Sequence, residues 1–336
     1  MLSLDGVNYG NIFCAPGAQG FFGEGYPYHK LFKFAGMHWG NPLAQPGDPN
    51  HVGFVSKTIV YPPRAGNMPM RSDRLTPREL LPKSVIVKFR SGHVLNAVGL
   101  TGPGAEWAIA QGRWQARTKP FMISFMSVAG SPEERLAETK LFADLIRTQL
   151  TAFRAPFAIQ ANRACPNSGH LPDDFYPETT EMLDILGEIG VPIVVNYNPT
   201  VPTEVMVETT AHDACSALWI ANTIPWGDER IDWEKIFGTT KSPIEARKLP
   251  VGGGGGLSGP ECLPLTIDRV KAARAAGITK PIVAGNGIQD SYDVQMVRAA
   301  GADAVAIGTV AMVRPWRMTR IIRTANTWDD WDWLSS

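Results

Sequence analysis

Cys165 sits between two amides in the stretch Asn162-Arg163-Ala164-Cys165-Pro166-Asn167-Ser168-Gly169, directly after the apolar run Phe157-Ala158-Ile159-Gln160-Ala161. A thiol in the loop leaving a strand can take a proton when its thiolate is accessible, and flanking amides can grip a polar planar substrate. The other use of such a cysteine is as a small apolar filler beside a turn proline. Further polar residues close other apolar runs: Lys57, Ser127, Asn196 and Asn222 with Thr223. Singly these are turn formers, but as a ring at one mouth they would carry donors and acceptors into a shared cavity. Glycines gather at residues 252–256, at Gly285-Asn286-Gly287 and at Gly308-Thr309. Their backbone N–H groups, with a helix opening at Asp290, suit a phosphate; tight turns are the alternative use. No glycine-x-glycine-x-x-glycine fingerprint follows the first strand, so a dinucleotide fold is not indicated.

Positioning these groups requires strands that all end at the same mouth. Short apolar runs occur at residues 12–15, 53–59, 121–125, 157–161, 192–195, 217–221, 281–284 and 304–307, most of them followed by a helical pattern. Ser131-Pro132-Glu133-Glu134 is a capping box with proline at the first helical position, and the stripe Leu141, Phe142, Leu145, Ile146 and Leu150 is spaced to face a sheet. Gly190, Gly277 and Gly301 each stand just before a strand, as left-handed helix ends. Eight parallel strands with intervening helices predict an α/β (β/α)8 TIM barrel, with chemistry at the C-terminal ends of the strands and phosphate at the last two loops. Two insertions break the rhythm, at residues 36–49 and 71–94. The alternation Ser84-Val85-Ile86-Val87-Lys88-Phe89 predicts a hairpin folded over one mouth. The aromatic, acidic tail within residues 325–336 would dock or fray.

Composition narrows the class. At 336 residues and 44% apolar content the chain suits one barrel domain over residues 1–336. Lys+Arg and Asp+Glu both total 32, so no net field recruits nucleic acid or an anionic membrane. The four cysteines, Cys14, Cys165, Cys215 and Cys262, show no paired spacing, which argues against a disulfide framework or a zinc site and fits a reducing cytosol. No run is long and apolar enough to span a bilayer, and the start lacks a leader pattern. A soluble, cytoplasmic protein is expected.

In order along the chain stand Ala15-Pro16-Gly17, Ser56-Lys57-Thr58, Arg64-Ala65-Gly66-Asn67, Asn96-Ala97-Val98-Gly99-Leu100, Asn162 through Asn167, Ala221-Asn222-Thr223, Gly255-Gly256-Leu257-Ser258-Gly259, and Gly301-Ala302 through Gly308-Thr309. This succession resembles the dihydroorotate dehydrogenases over about residues 11–322. The resemblance implies an FMN-containing barrel that oxidises dihydroorotate to orotate in pyrimidine biosynthesis. A cysteine base is similar to the soluble class 1 branch. The resemblance further implies that Cys165 removes a proton from C5 while hydride passes to the flavin, with Lys57 lying between flavin and substrate. Asn96, Gly99, Leu100, Asn162, Asn167, Asn222 and Thr223 would bind substrate. Ala15, Gly17, Lys57, Thr58, Ser127, Asn162, Asn196, Gly255, Gly256, Gly285, Asn286, Gly287, Gly308 and Thr309 would bind FMN. A homodimer is implied, with fumarate as acceptor, or NAD reached through a separate iron–sulfur electron-transfer subunit. The chain departs from the family pattern at Asn196, where a lysine is usual, at Arg163-Ala164, where an aliphatic residue and a serine are usual, and at Gly102, where an asparagine is usual. Two other readings stand beside this one: a flavin barrel acting on another cyclic amide or imide or with little turnover, and a phosphate-binding barrel isomerase or lyase without flavin.

Overall fold

The structure is a computed structural model that describes residues 1–26, 39–166 and 172–327. Eight strands form one parallel sheet: β1 (Ile12–Cys14), β2 (Phe54–Val55), β3 (Phe121–Phe125), β4 (Phe157–Asn162), β5 (Ile193–Tyr197), β6 (Cys215–Ile220), β7 (Ile282–Gly285) and β8 (Ala304–Ile307). Neighbours in the sheet are neighbours in this order, and β8 pairs with β1. A parallel bridge between Phe13 and Gly53 joins β1 to β2 and closes the ring into a barrel. All eight lie on the apolar runs of the sequence, because strands covered on both faces are apolar nearly throughout. The second is shorter than its run: only Phe54 and Val55 keep strand geometry, although Ile59 bridges again to Phe125.

The helix Pro132–Arg147 opens as its sequence requires. Ser131 accepts the Glu134 N–H at 3.2 Å, and the Glu134 carboxylate accepts the Ser131 N–H at 3.0 Å. Most of the expected stripe faces the core: Phe142 and Ile146 are buried, and Leu145 and Leu150 pack against it. Leu141 is half exposed, and the buried positions are Arg135, Glu138, Thr139, Phe142, Ala143 and Ile146. These repeat at three- and four-residue steps, and polar residues with buried partners extend the face into the first turns, where the apolar stripe gave no sign of it. Gly190, Gly277 and Gly301 all adopt positive φ at their helix ends.

The predicted hairpin exists. Val85–Lys88 and His93–Asn96 pair antiparallel, but they belong to a larger four-stranded sheet completed by Gly256–Ser258 and Ile224–Pro225. Gly256 is thus a strand residue, where the sequence suggested only a loop. It pairs with Asn96 on one side and Pro225 on the other, and an added Cβ would lie 2.1 Å from Thr223 Oγ1. This small sheet gathers segments that follow β2, β6 and the 252–256 run over the C-terminal mouth. The opposite end carries a hairpin the sequence reading passed over, Leu2–Leu4 with Val7–Gly10 around Asp5-Gly6. The alternating apolar residues about an Asp-Gly turn were the available signal. Parts of the first insertion and all of residues 328–336 lie outside the described residues.

Candidate active site

Strand ends deliver the polar residues to one mouth. Asn162, the last residue of β4, donates through Nδ2 to Thr58 Oγ1 at 3.2 Å and accepts from Asn222 Nδ2 at 2.7 Å. Thr58 shares a hydrogen bond with Ser124 Oγ at 2.8 Å, and Asn286 Nδ2 donates to the Asn222 carbonyl at 2.9 Å. A continuous polar chain therefore crosses the mouth from β3 to the loop after β7. Asn222 Oδ1 also accepts the Thr223 N–H at 2.8 Å. Asn96 reaches the mouth from the covering sheet, its Nδ2 3.4 Å from the Gly256 carbonyl. Ser258 and Thr309 share a 2.6 Å hydrogen bond that ties the sheet to the loop after β8.

Lys57 is buried and donates to the Thr101 carbonyl, with its ammonium 4.8 Å from the centre of the Phe21 ring. Burial pulls its ammonium down to about 8, while nearby Cys165 and Glu24 act in the opposite sense. Cys165 is partly accessible and packs beside Val60, Leu100, Met126 and Phe175. Leu100 reaches that wall from a left-handed backbone at φ 56°, after Gly99 at φ 71°, whose carbonyl takes the Arg64 Nε–H at 2.9 Å. The other three cysteines are buried, and burial pushes each of their thiols up. Asn167 lies outside the described residues.

Partial exposure persists at the mouth. Ala15, Gly17, Asn96, Cys165, Asn222, Thr223, Ser258, Gly308 and Thr309 all keep partial exposure, although the strands leading to them are buried. Several predicted positions have other duties. Ser127 turns toward the helix, where its hydroxyl donates to Glu138. Added Cβ atoms at Gly285 and Gly287 would lie 2.4 Å from the Ala306 carbonyl and the Leu263 nitrogen, so their missing side chains are explained by the chain's own packing. Gly255, at φ 92°, accepts the Trp226 N–H at 2.9 Å. The helix Ser291–Ala299 is capped by Asp290, whose carboxylate takes the N–H groups of Tyr292 and Asp293, so that N-terminus is not open to a phosphate as the sequence suggested. The helix Thr309–Val313 has no side-chain cap. Asn196, at the mouth end of β5, is 2% exposed, and its Oδ1 has no partner among the described residues; Asn286 Oδ1 is similarly unmet among them.

The family model described as dihydroorotate dehydrogenase matches residues 31–327. The chain belongs to the dihydroorotate dehydrogenase family. It is 30% identical to the catalytic subunit of dihydroorotate dehydrogenase B (NAD(+)) of Listeria welshimeri over 316 residues, covering 91% of this chain and 86% of that protein. The same subunit of Latilactobacillus sakei is 29% identical, with 96% and 90% covered. A crystal structure of the Eimeria tenella dihydroorotate dehydrogenase in complex with ferulenol superposes with a TM-score of 0.61 at 15% identity, covering 96% of this chain and 82% of that one, which shows the shared fold. The protein is therefore an oxidoreductase of the dihydroorotate dehydrogenase type. No described helix is long and apolar enough to cross a membrane.

Sequence reasoning missed Ser124, which hides as one polar residue in the apolar run of β3, and Glu138, the partner of Ser127. Arg163 follows the inward-facing Asn162 directly, so strand alternation turns it off the barrel axis. The structure turns Arg163 away from the mouth: it donates to the Phe175 carbonyl and lies 3.9 Å from Glu178.

Proposed function

We propose that this protein oxidises dihydroorotate to orotate, with FMN as the resident electron acceptor and Cys165 as the base. The carrying observation is the placement of Cys165: it is the one cysteine of the four that is not buried, and it stands beside Lys57 and the chain of amides at the C-terminal mouth. The residues present fit the cofactor. Two buried amide oxygens, on Asn196 and Asn286, find no donor among the described residues, where a flavin imide or ribityl hydroxyl would supply one, and the partly exposed residues at the mouth include Ala15, Gly17, Gly308 and Thr309. When bound, FMN would supply the acceptor for the C6 hydride of the substrate. Cys165 accepts the C5 proton, and the ammonium of Lys57 holds the substrate carboxylate and favours the thiolate beside it. Asn96, Asn162, Asn167, Asn222 and Thr223 hold the pyrimidine edges, their amides matching its alternating donors and acceptors. The backbone of residues 255–256, 285–287 and 308–309 would hold the phosphate end through N–H groups, the glycines' lack of side chains being set separately by the chain's own packing. An electron-transfer subunit serves as acceptor, on the strength of relatives named as catalytic subunits of NAD(+)-linked enzymes, and the protein acts as a cytoplasmic homodimer.

Asn196 favours a second reading. An amide can hydrogen-bond but cannot neutralise charge, and Arg163 is engaged elsewhere, so a different cyclic imide or slow turnover is the alternative. One set of measurements separates these. Denatured protein should release FMN, and anaerobic dihydroorotate should bleach the native flavin. Cys165→Ala should still bind dihydroorotate but bleach about 10²- to 10⁴-fold more slowly. Absence of flavin, together with no affinity for added FMN, sinks the cofactor assignment. Bleaching by another cyclic imide but not by dihydroorotate selects the second reading.

A further inference from the structure

Behind the Cys165 loop lies a buried ionic group that the reaction does not use. Arg135, Glu178 and Arg163 are each at least 95% buried. Arg135 holds Glu178 in a fork, through Nε at 2.9 and 3.2 Å and through Nη2, while its Nη1 donates to the Ala129 and Gly130 carbonyls at 3.3 and 3.4 Å. Arg163 approaches the same carboxylate at 3.9 Å and donates to the carbonyl of Phe175. The Phe175 ring is contacted by both guanidinium groups, with carbon-to-centroid distances of 5.3 Å for Arg135 and 5.1 Å for Arg163. Phe175 packs in turn in the small apolar cluster that holds Leu100, Met126 and Cys165. One ionic group thus touches the loop after β3, the Cys165 loop, and the segment leading to the helix Thr179–Gly187. Taking three charges out of water costs energy that a hydrophobic filling would avoid, so the arrangement calls for a use other than stability.

We infer that Arg135, Glu178 and Arg163 form a clamp closed on Phe175 that positions the Cys165 thiol, with Arg163 as a positioning residue acting through the Phe175 ring and carbonyl. The catalytic meaning rests on Cys165 being the base; the clamp itself is read on the thiol. Two guanidinium groups face the carboxylate of Glu178 and flank the Phe175 ring, which packs in the same cluster as the Cys165 thiol. Burial draws the Arg163 guanidinium down to about 10, with Glu178 acting in the opposite sense, so it stays charged at neutral pH.

Alkylation by iodoacetamide tests this without turnover, because Cys14, Cys215 and Cys262 are buried and only Cys165 should react in the native protein. In Arg163→Met, with circular dichroism and flavin content unchanged, Cys165 should be alkylated about tenfold more slowly at pH 7. Flavin bleaching should lose kcat with little change in KM, and Arg163→Lys should restore most of both. Combining Arg163→Met with Phe175→Leu should add little to either single change, since both act on one contact. If Arg163→Met does not fold, Phe175→Leu carries the same expectation for alkylation and kcat. Unchanged alkylation in a folded Arg163→Met, or fully additive effects in the double variant, overturns the clamp. A fully active Cys165→Ala would instead remove Cys165 as base and leave the alkylation result to judge the clamp.

Discussion

Asn196 is the residue on which the redox character of the proposed site turns. It stands at the mouth end of β5, paired in register with Asn162 and with Trp219, and its side-chain oxygen is buried without a partner among the described residues. In the proposed FMN complex a neutral amide there would leave charge developing on the reduced flavin uncompensated. Asn196→Lys should therefore raise the flavin reduction potential and speed bleaching by dihydroorotate, provided the ammonium finds acceptors in so buried a place. A redox titration of the two proteins checks this, and an unchanged potential would show that residue 196 does not address the flavin. At this scale the sequence was informative where neighbours are local. Cys165 and Asn162 were legible because the strand and its exit loop are contiguous. Glu178 and Arg135 were not, because they meet across 43 residues of chain and each alone looks like an ordinary helix-surface charge.

The element with the clearest local code is the helix Pro132–Arg147. Its capping box satisfies N–H groups that the helix cannot bond internally, and its first turns carry Arg135 to the clamp and Glu138 to Ser127. Ser131→Ala should cost about 1 kcal/mol of stability. The expected sign is a lower denaturant midpoint with an unchanged slope; an unchanged midpoint would mean that tertiary packing alone fixes this helix end. The covering sheet is the opposite case. Alternation announced the hairpin at residues 85–96, but its other two strands, Ile224–Pro225 and Gly256–Ser258, are too short to carry a period. They exist because the hairpin offers them an edge to pair with.

For the molecule as a whole, acid stability should depend on His51. It is 3% exposed and lies against Gly10 and beneath the last helix, whose Asn326 Nδ2 donates to its carbonyl at 2.7 Å. Burial, with Lys119 nearby, lowers its imidazole to about 4. The unfolded chain binds a proton near 6.5, so between about 6.5 and 4 it holds more protons than the native state, and stability is lost as pH falls through that window. The loss should reach about 3 kcal/mol by pH 4. Guanidinium unfolding of the parent and His51→Gln at pH 7 and pH 4.5 compares the two; parallel losses in both proteins would place the acid sensitivity elsewhere.

The sequence by itself determined the eight strands, their parallel order, the capped helix and the polar residues that the strand ends bring to one mouth. Each of these depends on a run of neighbouring residues: an apolar stretch buried on both faces, a cap three residues from its partner, a strand end facing the barrel axis. Only the tertiary structure decided that Gly256 is a strand residue, that Ser127 belongs to Glu138, and that the partner of Arg163 is Glu178. These are pairings between distant segments, and which buried polar group finds which partner is set by the packing that brings the segments together, not by either segment alone.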